Sequence, residues 1–98
     1  MKKVNKEGAE VRQLYQALLK LESITECDEF LSDLCTIAEI NALAQRLEVA
    51  RLLKEGYTYD AIENTTGAST ATISRIKRFL YHGNNGYKII LQRLSEQN

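Results

Sequence analysis

Between residues 7 and 21, apolar side chains fall at Val11, Leu14, Tyr15, Leu18, Leu19 and Leu21. That rhythm of i, i+3, i+4, i+7 and i+8 gathers them on one side of a helix and predicts an amphipathic first element. The next stretch, SITECDEFLSDL, has a shorter apolar face of Phe30, Leu31 and Leu34. Thr25 is its expected cap, with Asp28 or Glu29 near the positive end of the helix dipole. Thr36 then opens TIAE, an S/T-x-x-E box. Its hydroxyl can accept from the Glu39 amide while the Glu39 carboxylate reaches back to the Thr36 amide. The helix that follows is expected from Ile37 to about Lys54. Its apolar residues, Ile37, Ile40, Leu43, Ala44, Leu47, Leu52 and Leu53, cover more than one narrow stripe. A helix apolar over so much of its girth needs several neighbours, which suits a central helix or a dimer interface. Gly56, just past Lys54-Glu55, is its stop.

Thr58 caps a short helix, TYDAIENT, which ends at Thr65-Thr66-Gly67. A further helix, TATISRIKRFLYHG, starts at Ser69 or Thr70 and stops at Gly83. After the intervening turn, YKIILQRLSEQ lines up Tyr87, Ile90, Leu91 and Leu94 for a last helix. The pattern therefore predicts an all-α protein of six helices, and no stretch reads as a strand. With 98 residues and no Pro, one helical domain spanning 1–98 is expected.

Two helices joined by three or four residues containing Gly form the helix-turn-helix signal, here about 58–82. With Tyr59 as the first position, Ile62 is fourth, Gly67 ninth, Ala68 tenth, Ile73 fifteenth and Ile76 eighteenth. Gly67 permits the left-handed backbone of a tight turn. Ala68 is small enough to lie between the helices, and Ile62, Ile73 and Ile76 pack one onto the other. Thr66 departs from the pattern, since an apolar residue is more usual there. With Ile73 and Ile76 inward, Thr70, Ala71, Ser74 and Arg75 face outward, flanked by Thr72, Lys77 and Arg78. A recognition helix enters the major groove N-terminal end first, so its leading residues must be short. Thr and Ser can hydrogen-bond base edges, and Ala or Thr methyls can meet the thymine methyl. Arg75, Lys77 and Arg78 lie where the helix nears phosphate. Thr58 joins these as a contact at the start of the preceding helix.

Charge sharpens this reading. The formal net charge is zero, but residues 1–67 carry eight Lys or Arg against twelve Asp or Glu, a net of −4. Residues 68–98 carry five basic residues and only Glu96 as an acid, a net of +4. Such polarity lets one face meet phosphate while the other is repelled. Cys27 and Cys35 lack C-x-x-C spacing and read as reduced, small core residues of a cytoplasmic protein. No apolar run reaches the roughly 20 residues of a membrane span, and the Lys-rich start has no apolar stretch of a signal peptide. His82, the only histidine, has no ligand-spaced companions. There is no phosphate-binding Gly loop, no G-x-S-x-G and no H-E-x-x-H, so no enzyme activity, metal or cofactor is expected.

LCTIAEINALAQRLEVARLLKEG (34–56) and TTGASTATISRIKRFL (65–80), with the order and spacing of the helices, resemble the tryptophan-repressor superfamily, in particular its YerC/YecD branch. The resemblance covers most of the chain and is carried mainly by ALAQR followed by GASTATISR. It implies a six-helix fold whose helices interlock with those of a second chain into an intertwined homodimer with two readers. It also implies a repressor-type transcriptional regulator of double-stranded DNA with a pseudo-palindromic operator. By the same resemblance, three effector-pocket positions fall at Thr36, Arg46 and Arg75. Where that repressor has a Gly and a Ser beside the indole, this chain has Ile76 and Phe79. Both are bulky and tend to fill the slot, so tryptophan is not expected as a corepressor. Arg46 has a second role open to it, an ion pair with a carboxylate in the dimer. Glu63 stands where the repressor has a Lys near DNA. The alternative function is a helical protein-interaction module without specific DNA binding. An RNA binder is disfavoured because no exposed aromatics are interleaved with the basic run.

Overall fold

The structure, a computed structural model, describes residues 8–96. Six α-helices run in order: α1 Ala9–Leu19, α2 Ile24–Leu34, α3 Ile37–Lys54, α4 Tyr59–Thr66, α5 Thr70–His82 and α6 Gly86–Glu96. No strand occurs among the described residues. The expected first-helix start at residue 7 and last-helix end at residue 97 lie outside them. The backbone forms two compact units, one ending at Thr36 and one beginning at Ile37.

The first unit holds α1 and α2. Its second helix is not capped at Thr25 as expected. Ser23 is the N-cap, and its Oγ accepts from the Glu26 amide at 3.0 Å. Glu26 Oε1 in turn accepts from the Glu22 amide at 2.9 Å. The segment S-I-T-E is itself an S/T-x-x-E sequence, and this paired cap takes precedence over a lone Thr two residues later. Neither α1 nor α2 has a fully buried residue. Leu19 is 85% exposed and Ile24 is 89% exposed.

The second unit contains the core. Val49, Ala50, Leu52 and Leu53 of α3 meet Ile62 of α4, Ala68 of the turn, Ile73, Ile76 and Leu80 of α5, and Leu91 of α6. Leu47, Tyr59 and Tyr87 pack around this cluster. Helix α3 is thus the shared wall for α4, α5 and α6, as its broad apolar surface requires. Only its C-terminal half is buried, however. Ile37 and Leu43 near its start remain exposed.

Two left-handed glycines set the chain's course. At Gly56 (φ 91°), the Tyr57 amide donates to the Leu52 carbonyl and the Gly56 amide to the Leu53 carbonyl, a Schellman stop for α3. At Gly67 (φ 76°), the amide donates to the Glu63 carbonyl at 2.9 Å and α4 ends. A Cβ built on Gly67 would meet open space. Substitution there therefore tests backbone strain alone. Gly67→Ala should lower unfolding free energy by about 1–2 kcal/mol, and Gly67→Asn by less, in urea titrations. Ile73→Ala, which empties a fully buried position, should cost about 2–5 kcal/mol in the same assay.

Candidate nucleic-acid interface

Ile73, Ile76 and Leu80 are the buried residues of α5. Their i, i+3, i+7 spacing anchors one stripe and turns the opposite side to solvent. Thr70, Ala71, Ser74, Arg75, Lys77 and Arg78 are all exposed, and Thr72 is half-buried. The outward set expected of a reader helix is therefore brought together on one element.

The helix starts at Thr70, and its cap is Ser69, whose Oγ accepts from the Thr72 amide at 3.2 Å and lies 3.0 Å from Thr72 Oγ1. This leaves Thr70 free of capping. Its Oγ1 donates instead to Glu63 Oε2 of α4 at 2.9 Å. Thr58 is exposed but committed, since its Oγ1 accepts from the Ala61 amide at 3.1 Å as the N-cap of α4. Ser74 Oγ stands 3.5 Å from the Tyr59 hydroxyl, and Lys77 Nζ lies 5.8 Å from the centre of the Tyr59 ring. Tyr59 and Glu63 thus join the face from α4; Tyr59 has no sequence signal as a contact residue, and Glu63 is marked only by the resemblance, where it replaces a Lys.

The turn is braced by the residue that departs from the usual apolar pattern. Thr66 Oγ1 donates to the Ile62 carbonyl at 2.7 Å and accepts from the Ala68 amide at 3.2 Å. Gln45 Nε2 of α3 donates to the Thr66 carbonyl at 3.0 Å. A side chain thereby satisfies backbone groups that an apolar residue would leave to water.

Electrostatics separate two kinds of cation. Arg51 on α3 is engaged at 2.8 Å by Glu48 and at 2.7 Å by Glu55. The Arg51 hydrogen bonds hold the Glu48 carboxyl below its ordinary 4.5, so this pairing persists above that value and is lost as pH falls through the lowered one. Arg75, Lys77 and Arg78 make no ion pair among the described residues. The Arg78 guanidinium rests 5.3 Å from the centre of the Phe79 ring.

Beside the reader face is a cleft of about 660 Å³ lined by Arg46, Leu47, Arg75, Ile76, Phe79, Asn84, Gly86, Tyr87 and Ile90. Two of the expected effector positions, Arg46 and Arg75, share it. Thr36 belongs to the other unit. Ile76 and Phe79, expected to fill this slot, form part of its wall. Ile76 is anchored in the core at 2% exposure, while Phe79 is half-exposed. Among the described residues, no group of three or more His, Cys, Asp or Glu is placed to hold a metal, and no helix is long and apolar enough to cross a membrane.

The model of the Trp repressor protein family matches residues 9–95. The chain is 57% identical over 89 residues to YerC, an uncharacterized protein of Bacillus subtilis (strain 168), covering 91% of this chain and 86% of that protein. It superposes with a TM-score of 0.89 on the crystal structure of a TrpR-like protein from Eubacterium eligens ATCC 27750, at 49% identity, covering 92% of this chain and 93% of that one. A Staphylococcus aureus protein provisionally assigned as a Trp repressor gives a TM-score of 0.87 at 53% identity, over 91% of this chain and 89% of that one.

Proposed function

Since the chain belongs to the Trp repressor protein family, we propose that it is a cytoplasmic, sequence-specific regulator of transcription that binds double-stranded DNA as a homodimer and represses through its helix-turn-helix. The observation that carries this reading is the outward face of α5. Short side chains occupy its head, and three cations without carboxylate partners occupy its body. The head fits a groove floor, and the cations suit the phosphates that border it. Thr58, Thr70, Ala71, Thr72, Ser74, Arg75, Lys77 and Arg78 are the proposed DNA contacts. No catalytic role is proposed.

The homodimer draws support from the first unit. Helices α1 and α2 have 11 residues each and leave no residue fully buried. Helices that short are marginal in water without packing. Their apolar residues call for a surface that the interlocked partner chain supplies, and the single domain over 1–98 is then completed by a second copy. In solution, light scattering at micromolar concentration should return the mass of a dimer, and a monomer would remove the intertwined arrangement.

For DNA, selection from genomic fragments at low salt should enrich a motif with half-sites about one helical turn apart. Arg75→Ala and Lys77→Ala should each weaken binding to all sequences and flatten the plot of log affinity against log salt by about 0.9 per lost phosphate contact. Ser74 and Thr70 substitutions should shift sequence preference instead. A protein-interaction module would enrich no motif.

Arg46 and Arg75 are the proposed effector contacts, and the two guanidiniums at an apolar-walled cleft suit an anionic head on an apolar body. Phe79 and Ile76 occupy wall that an indole would need. Calorimetric titration with tryptophan should therefore give no stoichiometric heat, whereas stoichiometric binding would make the cleft a tryptophan site.

A further inference from the structure

The tip of α5 has a chemical polarity that its residue types alone do not show. Thr70 opens the helix, and its one hydroxyl proton is committed to Glu63 Oε2 at 2.9 Å. A threonine hydroxyl can ordinarily donate or accept, but here its lone pairs are what remain. The Glu63 carboxylate has only acceptor oxygens. It makes no ion pair among the described residues, so its charge is not cancelled locally. At the tip, then, two adjacent side chains present acceptors and no proton.

Resting on the DNA-binding reading above, we infer that Glu63 and Thr70 form a specificity-determining pair that selects cytosine at the base pair met by the tip of α5. In the major groove, guanine presents N7 and O6 acceptors and thymine presents O4, all of which repel a carboxylate. Cytosine offers its N4 amino group. Adenine offers N6, but beside an N7 acceptor that faces the same carboxylate unfavourably. An acceptor-only tip therefore favours cytosine over the other three bases. An uncompensated carboxylate near phosphate opposes binding unless an amino group meets it, which makes the pair a filter as well as a contact. Thr70 has the supporting role of fixing the carboxylate across the turn.

The competing explanation is that Glu63 only braces α4 against α5. Glu63→Gln separates the two. The glutamine is isosteric and keeps an oxygen for the Thr70 hydroxyl, so bracing survives. Its charge is gone, and its amide can pair with adenine N6 and N7. Selection from a randomised duplex library should give the wild type cytosine at one position of each half-site, preferred by about tenfold. Glu63→Gln should retain the rest of the motif and move that position to adenine. Thr70→Val, which frees the carboxylate, should weaken the cytosine preference at the same position. An unchanged motif in both variants would overturn the inference and leave the DNA-binding reading intact. A wild type that enriches no motif would overturn that reading, and this inference with it.

Discussion

The seam where Ile62, Ala68, Ile73 and Ile76 meet controls the rest of the molecule's candidate chemistry. All four are buried, against Val49, Ala50, Leu52 and Leu53 of α3. Once Ile73 and Ile76 are inward, the helical period leaves no choice about Thr70, Ser74, Arg75 and Lys77. Turning α5 by one residue would draw Ser74 and Lys77 into the core and expel both isoleucines. Burying an unpaired ammonium is far costlier than any gain the turn could recover. The reader face is therefore a by-product of apolar packing on the other side of the same helix.

Magnitudes rank the contributions at this turn. Each buried isoleucine or leucine contributes about 1.5–3 kcal/mol, while a typical hydrogen bond adds about 0.5–1.5 kcal/mol net. The apolar seam thus determines that α4 and α5 dock. The bonds of Thr66, Gln45 and Ser69 act on a finer scale, removing alternative turn geometries by satisfying particular backbone groups. Gly67 is needed at the junction because the chain must take a left-handed step there while Ala68 passes into the core at once.

These two scales explain what the sequence could reveal. The Ile62–Gly67–Ala68–Ile73–Ile76 spacing was legible because it is local and each residue type follows from its position. The six helices were legible from apolar periodicity and their stops. Periodicity could not say which half of α3 is buried, because its apolar residues run the whole length and only tertiary neighbours decide. Ser69 and Thr70 were equivalent as caps until the backbone placed Ser69 in the extended conformation of an N-cap. Thr25 has acids after it as a cap should, but only Ser23 has Glu26 three residues on, and that spacing places the cap two residues earlier than expected. Thr66 looked like a defect, since nothing local announces that its hydroxyl will serve both sides of the turn. Glu63 meeting Thr70 is a contact between different helices and exists only once the seam has formed, whereas the shared cleft of Arg46 and Arg75 was suggested by the family resemblance and by no local pattern.

A net charge of zero gives no warning of a phosphate-binding face, and the reason is range. At physiological ionic strength, charges farther apart than about 8 Å are largely screened, so an approaching polyanion responds to local charge rather than to the total. On α3, Glu48 and Glu55 expend their charge on Arg51, which also leaves that cation unavailable. Among the described residues, no carboxylate does the same for Arg75, Lys77 or Arg78 of α5. Glu48 and Glu55 therefore count against the basic residues in the total without pairing with the basic helix. Glu63 is the exception, held at the head of α5 by Thr70. A single acid placed there, ahead of a basic helix, costs attraction for every sequence equally, and it can recover that loss only where a base donates to it. On the inferred pairing with cytosine, its position would convert a general electrostatic penalty into a means of discrimination.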